Sequence, residues 1–197
     1  MVSDVLAPAS LGLPRLAPWS PEPFTKGSRV DLNGPAATPA RVLAEMTWAD
    51  EVDVHAHGLV NLGVSDASFI VLSPAPDGRY ALTAGDVRQH VLRRAPVVVL
   101  GSCRAARASP FLHEPWSLPV AFLEAGARAV LAFPMDIPDT EAGAFFQSVR
   151  SRIRSGVHPA VAVRDERMRV LQSRPDSWVR TVVVFEQSSR SPHRSRP

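Results

Sequence analysis

The 197-residue chain has a single cysteine, Cys103. One thiol cannot form an intramolecular disulfide, and a cysteine-rich zinc site is excluded with it. Long apolar runs are also missing. No stretch approaches the roughly 20 residues that span a bilayer, and the opening MVSDVLAPASLGLPRLAPW lacks the basic start and compact apolar block of a secretory signal. These absences point to a cytoplasmic protein with no membrane partner. Acids are absent from the terminal QSSRSPHRSRP, which holds Arg190, Arg194 and Arg196. Those arginines account for the whole formal charge of +3, so residues 1–186 are formally neutral despite a pI near 9.9. No specific nucleic-acid partner is expected from such a distribution, and residues 187–197 read as a disordered basic tail.

What is present is an ordinary globular composition, 45% hydrophobic and 21% charged, in a chain long enough for one well-buried domain. Residues 7–36 are rich in proline and glycine and read as an irregular connection. Met1 to Leu6 is apolar enough to be the end of a strand. PARVLAEMTW reads as a helix with proline in its first turn, and EVDVHA as a buried strand ending at His57-Gly58. ASFIVLSP and the short YAL segment pair as a hairpin around Asp77-Gly78. TAGDVRQHVLRR follows as a helix, with Thr83 as N-cap for a first turn holding Asp86. APVVVLGSC is the clearest strand, a Val/Leu run of the kind buried on both faces of a parallel sheet. SLPVAFLEAGA is a helix closing at Gly126, ARAVLAF another buried strand, 139–155 and 159–172 two helices, and WVRTVVVFE a last strand. Strands alternating with helices predict an α/β sandwich with a mostly parallel sheet and no internal repeat.

In open parallel sheets, reactive groups collect beyond the carboxyl ends of the strands. Here HAHG follows one predicted strand and GSCRA another. Two chemistries compete for these residues. In the first, alternate strand positions point the same way, so His55 and His57 share a metal ion, as in the Asp-x-His-x-His start that resembles amidohydrolases and related phosphoesterases. A hydrolytic zinc site needs at least three protein ligands, and only His113 and His158 sit in further loop-like positions. An amidohydrolase barrel also needs about 250 residues. A metal cofactor is therefore not expected. In the second, His57 and Cys103 face each other across adjacent strand ends, the imidazole favouring the thiolate and carrying the proton. Gly58, without a Cβ, allows a substrate carbonyl close to its N–H, which with the Cys103 amide makes an oxyanion hole.

The order VHAHG then VVLGSC resembles the clan of caspase-like cysteine peptidases, which includes caspases, gingipains and separase. GSCRA agrees with the caspase Gln-Ala-Cys-[RQG]-Gly signature at Cys103-Arg104 and departs from it elsewhere. The resemblance is closer to the bacterial CHAT domain, a separase-like branch often joined to tetratricopeptide repeats. ATPARVLAEM, VDVHAHG, FIVLSP, YALTAGDV, VVVLGSC, AFLEAGARAVLAF and WVRTVVVF follow the family's order.

The resemblance implies a caspase-like three-layer α/β sandwich over residues 29–186, preceded by a partial first strand and Pro-rich connection over 1–28. It implies His57 as general base, Cys103 as nucleophile and Gly58 as oxyanion donor. The family's second histidine would fall at Asp53, so His55 matches no catalytic position and has a structural role. FPMDIPDTEAG lies where the family has Leu-Trp-x-Val-x-Asp, with Met135 in place of the tryptophan. An acid there would bind a basic P1 side chain; Asp139 is the first candidate, then Asp136 or Glu141, against a simple helix-capping role for Asp139. Family domains begin with a full strand and helix, whereas this chain opens on SDV, so an upstream repeat module, a late start or a second chain would complete the sheet. The expected activity is cysteine-type endopeptidase action on a protein or peptide substrate, with no cofactor and a possible regulatory partner. A catalytically silent adaptor module is the alternative, and a metal-dependent hydrolase using His55 and His57 comes third.

Overall fold

The computed structural model describes residues 1–16, 19, 28–60, 68–102, 109–111, 114–135 and 139–187. Cys103, His113, Asp136 and residues 188–197 of the expected tail lie outside them.

A six-stranded sheet forms the middle layer. Its strands are β1 (Val2–Ser3), β2 (Leu32–Asn33), β3 (Glu51–Val54), β7 (Val97–Leu100), β10 (Ala129–Ala132) and β11 (Val183–Glu186), in the order β11-β10-β7-β3-β1-β2. All neighbours are parallel except β10 and β11. The VVVL run of β7 is central and buried at every position, as a strand covered on both faces must be. Its residues alternate between two cores. Val98 and Leu100 pack with Val52, Val54, Val130 and Ala132 on one face; Val97 and Val99 pack with Leu131 and Phe133 on the other.

Helices cover both faces. On the first lie α1 (Pro39–Met46), α2 (Ala84–Arg88) and α3 (Leu118–Glu124), contributing Val42, Met46, Val87, Leu118 and Phe122. On the second lie α4 (Asp139–Arg154) and α5 (Pro159–Ser173), contributing Phe145, Phe146, Val149, Ala162 and Val163. This is the mostly parallel α/β sandwich that the sequence pattern predicts, in the three-layer form that the family resemblance implies.

Two smaller sheets are attached. β4 (His57–Val60), β5 (Ser68–Val71) and β6 (Ala81–Thr83) form an antiparallel sheet in that order, and β8 (Ser109–Phe111) pairs with β9 (Glu114–Trp116). The β5–β6 hairpin is the predicted one. Thr83 caps α2 through a reciprocal box, accepting from the Asp86 N–H at 3.2 Å while the Asp86 carboxylate accepts from the Thr83 N–H at 2.9 Å. Gly126 stops α3 with φ +111°, a conformation costly for any side chain.

Three expectations need correction. EVDVHA does not run on to His57-Gly58: β3 ends at Val54, the chain bends at His55-Ala56, and His57 opens β4. The bend arises because β3 pairs in the central sheet while His57 pairs with Val71 in the antiparallel one. The helix after Thr83 stops at Arg88, because the Gln89 and His90 N–H groups close the last turn and Leu92 then bonds to Ala125. The last strand is shorter than WVRTVVVFE, since Trp178–Thr181 is a 3-10 turn packed beside α5.

Candidate functional site

β3 and β7 are adjacent and parallel, with Val54 opposite Leu100, and the Gly101 N–H donates to the Val54 carbonyl at 2.7 Å. HAHG and GS therefore leave the same end of the sheet from neighbouring strands. That much of the expected juxtaposition is present; the Cys103 side chain lies outside the described residues, one position beyond buried Ser102.

The two histidines have unlike surroundings. His55 is 2% exposed and stacks on Trp19, with ring centroids 4.4 Å apart and planes 15° from parallel. His57 is half-buried, and its Nε2 lies 2.6 Å from the Pro14 carbonyl. A carbonyl only accepts, so Nε2 carries the hydrogen, and in the neutral ring Nδ1 is left as the acceptor. This contact fixes which nitrogen can take a proton from a thiol. The bend at His55-Ala56 interrupts the strand alternation on which the shared-metal reading of the pair rests. Among the described residues no group of three His, Cys, Asp or Glu side chains is arranged to hold a metal ion. His158 lies instead 3.6 Å from Glu186 on β11.

Gly58 sits opposite Ile70 on β4, the outer strand of its sheet. Asp139 opens α4, on the segment that leaves β10, the neighbour of β7. Of the other acids considered with it, Glu141 is committed elsewhere: it accepts from Arg174 Nη1 at 2.6 Å and from Trp178 Nε1 at 3.2 Å.

Two participants are missed by sequence reasoning, the Pro14 carbonyl and Trp19. Both lie in the aperiodic Pro-rich connection. Trp19 is 5% exposed and wedged against the sheet end. A Cβ on Gly101 would stand 2.3 Å from its ring, and one on Gly143 of α4 would stand 3.3 Å from it. Its other neighbours are Phe146, centroid 5.7 Å away, and the Arg150 guanidinium, 5.9 Å from the ring centre. Arg150 in turn donates to Asp53 at 3.1 Å. Burial pushes the Asp53 carboxyl up, against the downward pull of Arg150. Asp53, Arg150, Trp19 and His55 thus form a continuous column beneath the site. The one available sequence signal is a tryptophan among prolines, out of keeping with a solvated loop.

A family model described as "CHAT domain" matches residues 11–195. No curated protein matches the chain. Among solved structures, the Arg-specific cysteine proteinase gingipain R is similar with a TM-score of 0.55 at 12% identity. The match covers 80% of this chain and 37% of that one, so this chain spans little more than a third of the proteinase's length. At that identity the likeness speaks for the fold alone, which is that of a caspase-like cysteine proteinase. With the family model spanning nearly the whole sequence, the chain belongs to the CHAT domain family.

Proposed function

We propose that the protein is a cysteine endopeptidase in which Cys103 is the nucleophile and His57 the general base. The observation that carries this reading is the Pro14 carbonyl on His57 Nε2. A carbonyl partner on the far nitrogen is what a base needs, since it holds one tautomer before the reaction and stabilises the imidazolium formed during it.

The thiol proton passes to His57 Nδ1, and the Cys103 sulfur attacks the scissile carbonyl carbon, forming a C–S bond. The peptide C–N bond then breaks, the leaving amine taking the proton from His57. Water attacks the thioester carbonyl, giving its proton to His57, and the acid product leaves as the thiol is restored. Electrons and protons balance without a redox partner or a cofactor. The Gly58 and Cys103 amides would hold the oxyanion.

The substrate is a protein or peptide, and Asp139 is the acid for a basic P1 side chain through a charge-assisted pair. Its place at the head of α4, at the carboxyl end of the sheet, supports that role, whereas Glu141 is held by Arg174 and Trp178. The gingipain that shares the fold is itself Arg-specific.

The deciding experiment compares the full chain with its Cys103→Ala variant on peptides bearing Arg or Lys at P1. Turnover by the wild type and none by a folded Cys103→Ala protein is expected. Equal turnover by the two would overturn the assignment. No labelling of the wild type by a cysteine-directed peptidyl probe would favour the adaptor role instead.

A further inference from the structure

We propose that Trp19 is the positioning residue of this site: wedged at Gly101 and Gly143 and stacked on His55, it pins the segment whose Pro14 carbonyl holds the His57 ring. The inference rests on the reading of His57 as base, and it adds what keeps that base in one tautomer.

Among the described residues from Val5 to Asp31, Trp19 alone is buried. Pro14 itself is exposed, so burial of its own ring does little to fix where its carbonyl points. Two anchors flank it. Arg15 donates to the Asp4 carboxylate through Nε and Nη2, both at 2.7 Å, but its side chain is 69% exposed. Exposed ion pairs constrain weakly and are screened by salt. The other anchor is Trp19, five residues along, held on four sides by His55, Gly101, Gly143 and Phe146. A plug of this kind has few alternative positions, because close-packed interiors deform in discrete steps.

The same ring touches both branches of the candidate dyad. It stacks on His55, two residues before His57, and it occupies the space at Gly101 where any side chain would stand, two residues before Cys103. Among the described residues its buried Nε1 has no hydrogen-bond partner. A ring chosen only to fill the core would not need that N–H, and phenylalanine would leave no polar atom to satisfy.

The test uses the full chain with Trp19→Ala, Trp19→Phe and Arg15→Met, and reads the His57 tautomer from its ring 15N chemical shifts. Thermal melting run alongside identifies variants that remain folded. Wild type is expected to hold the Nε2–H form. Trp19→Ala should move the shifts toward a mixed population, Trp19→Phe should fall between, and Arg15→Met should leave them within a tenth of the Trp19→Ala change. Unchanged His57 shifts in a folded Trp19→Ala protein would overturn the proposal. If Trp19→Ala does not fold, unchanged shifts in Trp19→Phe overturn it equally. The readout needs neither Cys103 nor turnover, so a protein that cleaves nothing but still shows the shift would reject the peptidase reading and leave Trp19's role standing.

Discussion

At the residue scale, two glycines facing one ring should respond unequally. At Gly101 a methyl would stand 2.3 Å from the Trp19 ring, deep inside van der Waals contact, so the ring or the backbone must shift. Gly101→Ala should cost about 1–3 kcal/mol as overpacking. In a Trp19→Ala background the same change should cost much less, because the obstacle has gone. Gly143 lies within α4, where alanine gains about 1 kcal/mol of helix propensity against a 3.3 Å contact that small shifts relieve. Gly143→Ala should therefore fall within about 1 kcal/mol of wild type on these opposing magnitudes. Urea denaturation of the four variants checks the set, and additive losses for Gly101→Ala and Trp19→Ala would count against it. The column below behaves differently. Asp53 has its carboxyl raised by burial, so its contribution to stability is fully present below its unfolded value, 3.8, and is lost as pH rises through the folded one. Arg150 limits that loss. Arg150→Met removes the charge that opposes the rise, so it should lower stability at pH 7 and do so less near pH 4, where the raised carboxyl is the more protonated. An equal loss at both pH values would refute this account.

At the element scale, most of the central sheet and the helices that flank it are legible in the sequence because their burial has a period. VVVL has no polar position, and its length and β-branched content favour a strand covered on both faces. The capping box of α2 is written in Thr83 and Asp86. The irregular parts are legible only by resemblance, or not at all. Nothing in DVHAHG marks the bend that ends β3, since neither glycine nor proline stands between Val54 and His57; the bend follows from which strand each residue pairs with, a tertiary choice. Likewise, a backbone carbonyl such as that of Pro14 carries no side-chain signature. The candidate dyad residues are nameable from family order, while the carbonyl that bonds His57 is not. The capping box supports a prediction of opposite sign to Asp53. Burial alone would raise the Asp86 carboxyl, but hydrogen bonds from the Thr83 N–H, Arg79 and the Thr83 hydroxyl outweigh it and hold the carboxyl below its ordinary range. Its stabilisation is thus present above the unfolded pKa and disappears as pH falls through the lowered folded value. Asp86→Ala should cost about 1 kcal/mol at pH 7 and less at pH 2. Chemical denaturation at the two pH values tests it, and a constant cost would show that the carboxylate charge is irrelevant to the cap.

At the scale of the whole molecule, the sheet is not equally stiff across its width. β3 pairs with β7 at all four of its positions, but with β1 only where Val54 meets Val2. On the β1 side of β3, beside Glu51 to Asp53, lies a cavity of about 580 Å³, lined also by Met1, Val42, Met46 and Arg154. It sits at the amino ends of the strands, opposite the candidate site, so this cavity and the proposed chemistry are separate. The hydrogen bonds show which amides face it. The Asp50 and Val54 carbonyls accept from Val97 and Gly101, so even-numbered residues of β3 point to β7. The His55 N–H donates to Val2, so odd-numbered ones point to β1. Past Val2, the Asp53 amide therefore faces the cavity, while Val52 and Val54 are held in the centre of the sheet. Hydrogen exchange follows local opening as well as global unfolding. The Val52, Val54, Val98 and Val99 amides should exchange slowest, near the global limit, and Asp53 should exchange at least tenfold faster than its two neighbours. A rate for Asp53 equal to theirs would mean that this edge of β3 is covered in solution. In that case the looseness inferred from the pairing would be wrong, and β3 would be held as firmly on its β1 side as on its β7 side.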